Sequence, residues 1–316
     1  MEGIEVSKNQ TVLSEYAINI AEAFSTAPPA LDFVLPGFLA GTVGLLASPG
    51  AIGKTWVALE LGCAVASRLA NAQLLNLPIP KSGKVVFLSA EDPAVALQQR
   101  LHAIGKFLTI EAREEVAASL QVISLVGQHT DLSPEVNDKG VPCGEDWSDT
   151  IAEQCKGVRL IVLDTLSRWH SKEENSNRDM ALLLKVAEWL AAVTGAAVLF
   201  LNHSSKSMII QGRGDEQQSV RGASALVDNA RWQAAVCGMS EAEAKGAIPA
   251  LKPADRIHFR RLVVTKQNHG MPLPDVWLMR KEGGVLVRVE IGQNPLQPIG
   301  GTRQTAANGR MWRGKA

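Results

Sequence analysis

Net charge is the first thing this sequence lacks: 32 lysines and arginines are balanced by 32 aspartates and glutamates. A chain with no excess of positive charge is not a general polyanion binder, so any contact with nucleic acid has to come from locally placed cations. Closely paired cysteines are missing as well. Cys63, Cys143, Cys155 and Cys237 are scattered, which argues against a zinc site or disulfide framework and for reduced thiols in a cytosol. No uninterrupted apolar run is long enough to span a bilayer, and Glu2 and Glu5 stand where a signal peptide would carry basic residues. The expectation is a soluble, cytoplasmic protein. The middle of the chain has no linker rich in proline, serine and glycine. Its 316 residues, 46% of them apolar, therefore read as one large core with extensions.

The most informative stretch that is present is Ser48-Pro49-Gly50-Ala51-Ile52-Gly53-Lys54-Thr55. It follows the apolar run Thr42–Ala47 and opens a helical pattern from Trp56 to Ala70, the strand, loop and helix context of a phosphate-binding loop. Gly50 and Gly53 allow the backbone to turn its N–H groups inward around phosphate oxygens, at the positive end of the following helix. Lys54 adds a charge toward the β and γ phosphates, and the Thr55 hydroxyl is placed to ligate Mg²⁺. One departure from the usual pattern is Ser48, which takes the place of the first glycine. The implied ligand is a nucleoside triphosphate.

Residues 1–26 read as an N-terminal extension in which Tyr16, Ile20 and Phe24 form the apolar stripe of a short helix, stopped by Pro28-Pro29. That helix either folds back on its own domain or docks on a neighbour. Residues 27–291 read as the main domain and 292–316 as a disordered tail. Within the main domain, Thr42–Ala47, Lys84–Ser89, Arg159–Asp164 and Ala196–Leu201 are continuous apolar runs of strand length, suited to a parallel sheet covered on both faces. Helical patterns separate them at Trp56–Ala70, Pro93–Ile104, Asp149–Cys155 and Arg178–Val193. After Asn229, shorter runs at Ala230–Val236, Phe259–Lys266, Asp275–Met279 and Val285–Ile291 predict an antiparallel meander extending the sheet. The fold class is α/β, a mostly parallel sheet flanked by helices with antiparallel strands at its C-terminal side. The polar stretch Ser204–Val220 predicts a mobile internal loop.

Ligands of open parallel sheets bind beyond the carboxyl ends of the strands. Four of the predicted strands end in functional groups: the phosphate loop, Ala90-Glu91-Asp92, Asp164-Thr165 and Asn202-His203. Asp164 is placed to hold the Mg²⁺ shell opposite Thr55. The residue after it is Thr165, not a second carboxylate, so the water-activating base has to lie elsewhere. Asp92 and Pro93 suit a helix N-cap and first helical position, whereas Glu91 has no such duty and is the candidate base. His203, or Asn202 beside it, is a candidate sensor of the γ-phosphate. His170, Glu173 and Glu174 read as a solvated acidic loop.

These residues, together with Arg221-Gly222-Ala223-Ser224, Val227-Asp228-Asn229 and Arg231-Trp232-Gln233, resemble the RepA-type hexameric replicative DNA helicases of broad-host-range plasmids, within the RecA/DnaB-like P-loop ATPases. The resemblance runs from about Asn19 to about Arg288. It implies a RecA-like core and a homohexameric ring that hydrolyses ATP with Mg²⁺ between subunits and unwinds DNA during plasmid replication. The implied partners are single-stranded DNA in the channel and plasmid initiator and primase proteins. It assigns Lys54 and Thr55 to phosphates and metal, Glu91 to water activation, Asp164 to the metal and His203 to γ-phosphate sensing. It makes Arg231 the arginine finger of the neighbouring site, with Lys266 as the second choice for that cationic role. No arginine near Lys54 in the sequence offers itself as a finger in cis. Lys206, Arg213 and Arg221 are the candidate DNA contacts, gripping the backbone in a salt-sensitive way. Ser204–Val220 has no aromatic residue, so base stacking from it is not expected. The alternatives are a RecA-like regulatory or recombination ATPase that does not unwind DNA, and a small-molecule kinase.

Overall fold

The computed structural model describes residue 14 and residues 17–132, 147–203, 224–248, 251–252 and 254–293. These residues divide between Asp32 and Phe33 into two units. The first contains α1 (Ile20–Ser25), a single short helix with no buried residue. It begins at Ile20 because Asn19 caps it, its Oδ1 accepting from the Glu22 N–H at 3.2 Å. It ends at Thr26, which is extended, ahead of the prolines expected to stop it. Tyr16, expected to start the stripe, lies outside the described residues. Ile20 and Phe24 are exposed.

In the second unit the elements run β1 (Phe33–Leu35), β2 (Phe38–Leu39), β3 (Val43–Ser48), α2 (Lys54–Ala66), β4 (Val85–Ser89), α3 (Ala94–Gly105), α4 (Ile110–Ser119), β5 (Leu120–Ser124), α5 (Trp147–Gln154), β6 (Leu160–Asp164), α6 (Asn177–Thr194) and β7 (Ala197–His203). They continue as α7 (Ser224–Asn229), β8 (Trp232–Gly238), α8 (Glu241–Gly246), β9 (Ala247–Ile248), β10 (Phe259–Gln267), β11 (Val276–Arg280), β12 (Leu286–Arg288) and β13 (Gly292–Gln293). One sheet of nine strands, in the order β12-β11-β10-β8-β3-β7-β6-β4-β5, organises this unit. From β8 to β5 every pairing is parallel, and β8 to β12 pair antiparallel.

Burial on both faces follows the two-residue period of a strand. Leu46, Leu160, Val162, Leu199 and Leu201 pack with α2, α3 and α4 on one face. Leu45, Ile161, Leu163, Val198 and Phe200, the alternating positions, pack with α5, α6 and α7 on the other. The four predicted parallel strands are present to within two residues at either end. The predicted C-terminal meander is present, with β8, β10, β11 and β12 pairing antiparallel in turn, and its first strand, β8, joins the parallel sheet beside β3 (Gly44 opposite Trp232, Ala47 opposite Ala235). Parallel neighbours require a crossover, and α7 forms part of the one that leads into β8. The helix predicted to reach Ala70 ends at Ala66, where Ser67 Oγ and the Arg68 N–H donate to Glu115 and hold the chain extended. Among the described residues no helix is long and apolar enough to cross a membrane.

Candidate functional site

The parallel register brings the predicted site residues to one rim of the sheet. Ser48 lies opposite His203, Ser89 opposite Asp164, and Asp164 opposite Leu201. The ends of β3, β7, β6 and β4 therefore form one continuous edge. The phosphate loop leaves it after Ser48, with Ala51 at φ +63° and Gly53 at φ +120°. The left-handed turns thus fall on Ala51 and Gly53. Gly50, expected to share that role, does not have a positive φ, and a Cβ added to it would meet open space. An alanine in the left-handed region is strained by roughly 1 kcal/mol, and nothing in its identity reveals it. Helix α2 starts from Gly53 with no side-chain cap and no acidic residue in its first turn. Its N-terminal N–H groups remain available to an anion.

Lys54 is buried, and its Nζ donates to Thr165 Oγ1 at 3.2 Å, while Thr165 donates to the Leu201 carbonyl at 2.8 Å. Burial pulls the Lys54 pKa down; the carboxylates of Asp164, Glu91 and Asp92 push it back up. Asp164 is fully buried, and Thr55 Oγ1 donates to its Oδ2 at 3.2 Å. Its Oδ1 is buried with no hydrogen-bond partner among the described residues. An orphaned carboxylate oxygen beside a threonine hydroxyl is the donor set a hard divalent cation takes, so Thr55 and Asp164 fit Mg²⁺. Burial raises the Asp164 pKa to about 6, against the pull of Lys54 and with the repulsion of Glu91 and Asp92.

Glu91 stands on a segment tied down on both sides. The Ala90 N–H donates to the Asp164 carbonyl at 2.7 Å, the Asp92 N–H to Ser89 Oγ at 3.1 Å, and Ser124 Oγ to the Asp92 carbonyl at 2.9 Å. The Glu91 side chain is exposed and makes no hydrogen bond among the described residues, yet it acts electrostatically on both Lys54 and Asp164. Asp92 does not cap α3 as expected; Pro93 is the N-cap. The Asp92 carboxylate instead forms a two-point ion pair with Arg100, which lies over the Trp56 ring at 5.9 Å. Asn202 is buried and its Oδ1 accepts from the His203 N–H at 2.7 Å.

Arg231 and Lys266 are not brought to this rim. The Arg231 N–H donates to the Val43 carbonyl at 3.0 Å, at the start of β3, so an exposed Arg231 lies a strand's length from its own loop, roughly 17 Å. Lys266 lies at the same end, its Nζ donating to the Val227 and Asp228 carbonyls at 3.0 and 2.6 Å. A cation there stabilises the carboxyl end of α7. Lys206, Arg213 and Arg221 lie outside the described residues. Two arginines not anticipated from the sequence do reach the loop: Arg260 Nε and Arg280 Nη2 donate to the Ile52 carbonyl at 2.7 and 3.0 Å. The only hint of them was charge inside otherwise apolar strands.

A proton and Mg²⁺ compete for Asp164. Its folded pKa lies above the ordinary carboxylate value, so the metal-free site is protonated below about pH 6 and ionised above it. Mg²⁺-nucleotide affinity is expected to be flat above pH 6 and to weaken by about tenfold per pH unit below it. Calorimetric titration from pH 5 to 8 checks this. Asp164→Asn should remove that slope and leave only the nucleotide's own titration; an identical slope in the variant would contradict the assignment.

Two solved structures are similar in fold. One, described as an ATPase domain, shares 15% identity at a TM-score of 0.53, over 88% of this chain and 99% of that one. The other, a DnaB-like replicative helicase whose structure also concerns its interactions with primase, shares 16% identity at 0.58, over 88% of this chain and 70% of that one. At such identities the likeness establishes the fold alone, a mostly parallel sheet flanked by helices with antiparallel strands on its C-terminal side. Residues 14–208 match the AAA domain family, a span that includes the phosphate loop, Glu91, Asp164 and His203 and ends before Arg231. Because that match covers well over half of the sequence, the chain belongs to the AAA domain family.

Proposed function

We propose that this protein is an ATP-dependent DNA helicase acting as a homohexameric ring in plasmid replication, in the cytoplasm. The observation that carries the reading is the split of its candidate site residues between the two ends of one sheet. Lys54, Thr55, Glu91, Asp164 and His203 gather at the carboxyl rim, while Arg231 lies at the opposite end. In this reading Ser48–Gly53 and Lys54 hold the phosphates of ATP, Thr55 and Asp164 hold Mg²⁺, and His203 reports the γ-phosphate. Bound Mg²⁺ supplies charge neutralisation on the phosphates. Glu91 orients and deprotonates the attacking water. The site is completed by Arg231 of the next subunit, with Lys266 beside it.

Single-stranded DNA is the proposed track, gripped by Lys206, Arg213 and Arg221. Few phosphate contacts per subunit suffice when several subunits contribute, so the zero net charge is compatible with it. The DnaB-like helicase of similar fold, whose structure concerns its interactions with primase, supports a primase as a working partner; a plasmid initiator is the second partner of the proposed role. The test is strand displacement on a forked duplex, with ATPase stimulation by single-stranded DNA measured alongside. Wild type should displace the strand and Lys54→Ala should not. Stimulation without displacement would favour a regulatory or recombination ATPase, and turnover indifferent to DNA would favour a kinase.

A further inference from the structure

Arg260 and Arg280 come from β10 and β11, outside the phosphate loop, and converge on one atom of it. Arg260 sits at the loop end of β10, opposite Gly238, and Arg280 ends β11. Both donate to the Ile52 carbonyl, at 2.7 and 3.0 Å. The rest of the Arg260 guanidinium is held by the Ile257 and Phe259 carbonyls at 2.8 and 2.7 Å. Neither arginine forms an ion pair among the described residues. Two cations side by side with no carboxylate leave unbalanced positive charge against the loop. Each also depends on that one carbonyl for its tie to the loop.

The peptide following Ile52 is not among the cis bonds of this chain. In a trans peptide the carbonyl and the N–H point in opposite directions within one plane. Drawing the Ile52 carbonyl outward to two guanidinium groups therefore turns the Gly53 N–H the other way, toward the concave side of the loop. The Gly53 conformation, φ +120°, is one only glycine adopts without strain. A cation on the carbonyl also polarises the amide, making its N–H a stronger donor. On the reading that this loop binds phosphate, we infer that Arg260 and Arg280 are positioning residues for nucleotide: they fix and polarise the Ile52–Gly53 peptide so that its N–H faces the phosphates. The hairpin carrying Arg280 is anchored to the same helix at two further points. A Cβ on Gly284 would lie 2.8 Å from the Trp56 ring, and the Leu286 N–H donates to Glu60 Oε1 at 2.8 Å. The antiparallel extension of the sheet thereby sets the phosphate loop's shape.

Arg280 is the one to test, because Arg260 also holds its own strand. In the full chain, binding of a fluorescent ADP analogue and steady-state ATP turnover are compared for Arg280→Ala, Arg280→Gln, Arg280→Lys and Lys54→Ala. Arg280→Ala should weaken ADP binding and raise the KM for ATP by about tenfold, with kcat held within about twofold. Arg280→Lys, which keeps donor and charge, should restore most of the affinity; Arg280→Gln, which keeps only a donor, should restore part. If Arg280→Ala does not fold, the lysine and glutamine variants make the same comparison between themselves and wild type. Unchanged affinity in Arg280→Ala with affinity lost in Lys54→Ala overturns this inference alone. So does a glutamine variant as weak as alanine, which would leave only long-range charge, or a collapse of kcat with affinity intact. A Lys54→Ala chain that binds ADP as tightly as wild type overturns the phosphate-site reading itself, and this inference with it.

Discussion

Replacing Glu91 with glutamine is expected to lower ATP turnover by about 10²–10⁴-fold, the range spanned by positioned general bases, while leaving ATP affinity within a few-fold of wild type. The argument rests on how unevenly the carboxylates near the loop are committed. Asp164 is buried and bonded to Thr55, and Asp92 is paired with Arg100. Glu91 alone extends from a backbone segment fixed on both sides, with a carboxylate that makes no hydrogen bond among the described residues. A base needs that combination of a rigid support and an uncommitted basic oxygen. Asp92→Asn makes the contrasting control. Losing the Arg100 pair should loosen α3 against Trp56 and lower thermal stability by more than it lowers kcat. Fluorescent-nucleotide binding and steady-state turnover on the same preparations separate the two. Wild-type turnover in Glu91→Gln would remove it from the chemistry.

The parallel core was legible because its strands are buried on both faces. Leu160–Leu163 and Ala197–Leu201 are apolar at every position up to the functional residue, as strands covered on both faces are. The rim was legible for a related reason: polar residues that abruptly end such runs mark where the sheet stops. What escaped lay where this contrast fades. Helix α4 buries only Ala112 and Val116, too little for an apolar stripe, and β5 is a half-exposed edge strand. The parallel direction of β8 depends on the crossover before it, and a strand's own residues do not encode its direction. The clamp on Ile52 escaped because Arg260 and Arg280 lie more than 200 residues further along the chain. Only the antiparallel return of β10 and β11 brings them back to the loop.

Arg231→Ala is expected to lower ATP turnover by about 10³-fold, the lower end of what an arginine finger contributes, with nucleotide affinity nearly intact. An arginine at the far end of the sheet cannot reach its own phosphates, because β3 itself separates them. Exposed there, it is available to another copy. This separates two explanations that a single variant cannot. Lys54→Ala and Arg231→Ala chains, each inactive alone, should regain turnover when co-assembled. An interface pairing the intact loop of an Arg231→Ala subunit with the intact arginine of a Lys54→Ala subunit is complete. With equal amounts mixed at random, about one interface in four has that pairing, so about a quarter of wild-type turnover is expected if sites act independently. A cis role, or a purely structural one, would leave the mixture as inactive as its parts. Lys266→Ala tested in the same mixture assigns the second cation: complementation with Lys54→Ala places it in the neighbour's site. Failure to complement leaves it as the clamp on the carboxyl end of α7 seen in its bonds to Val227 and Asp228.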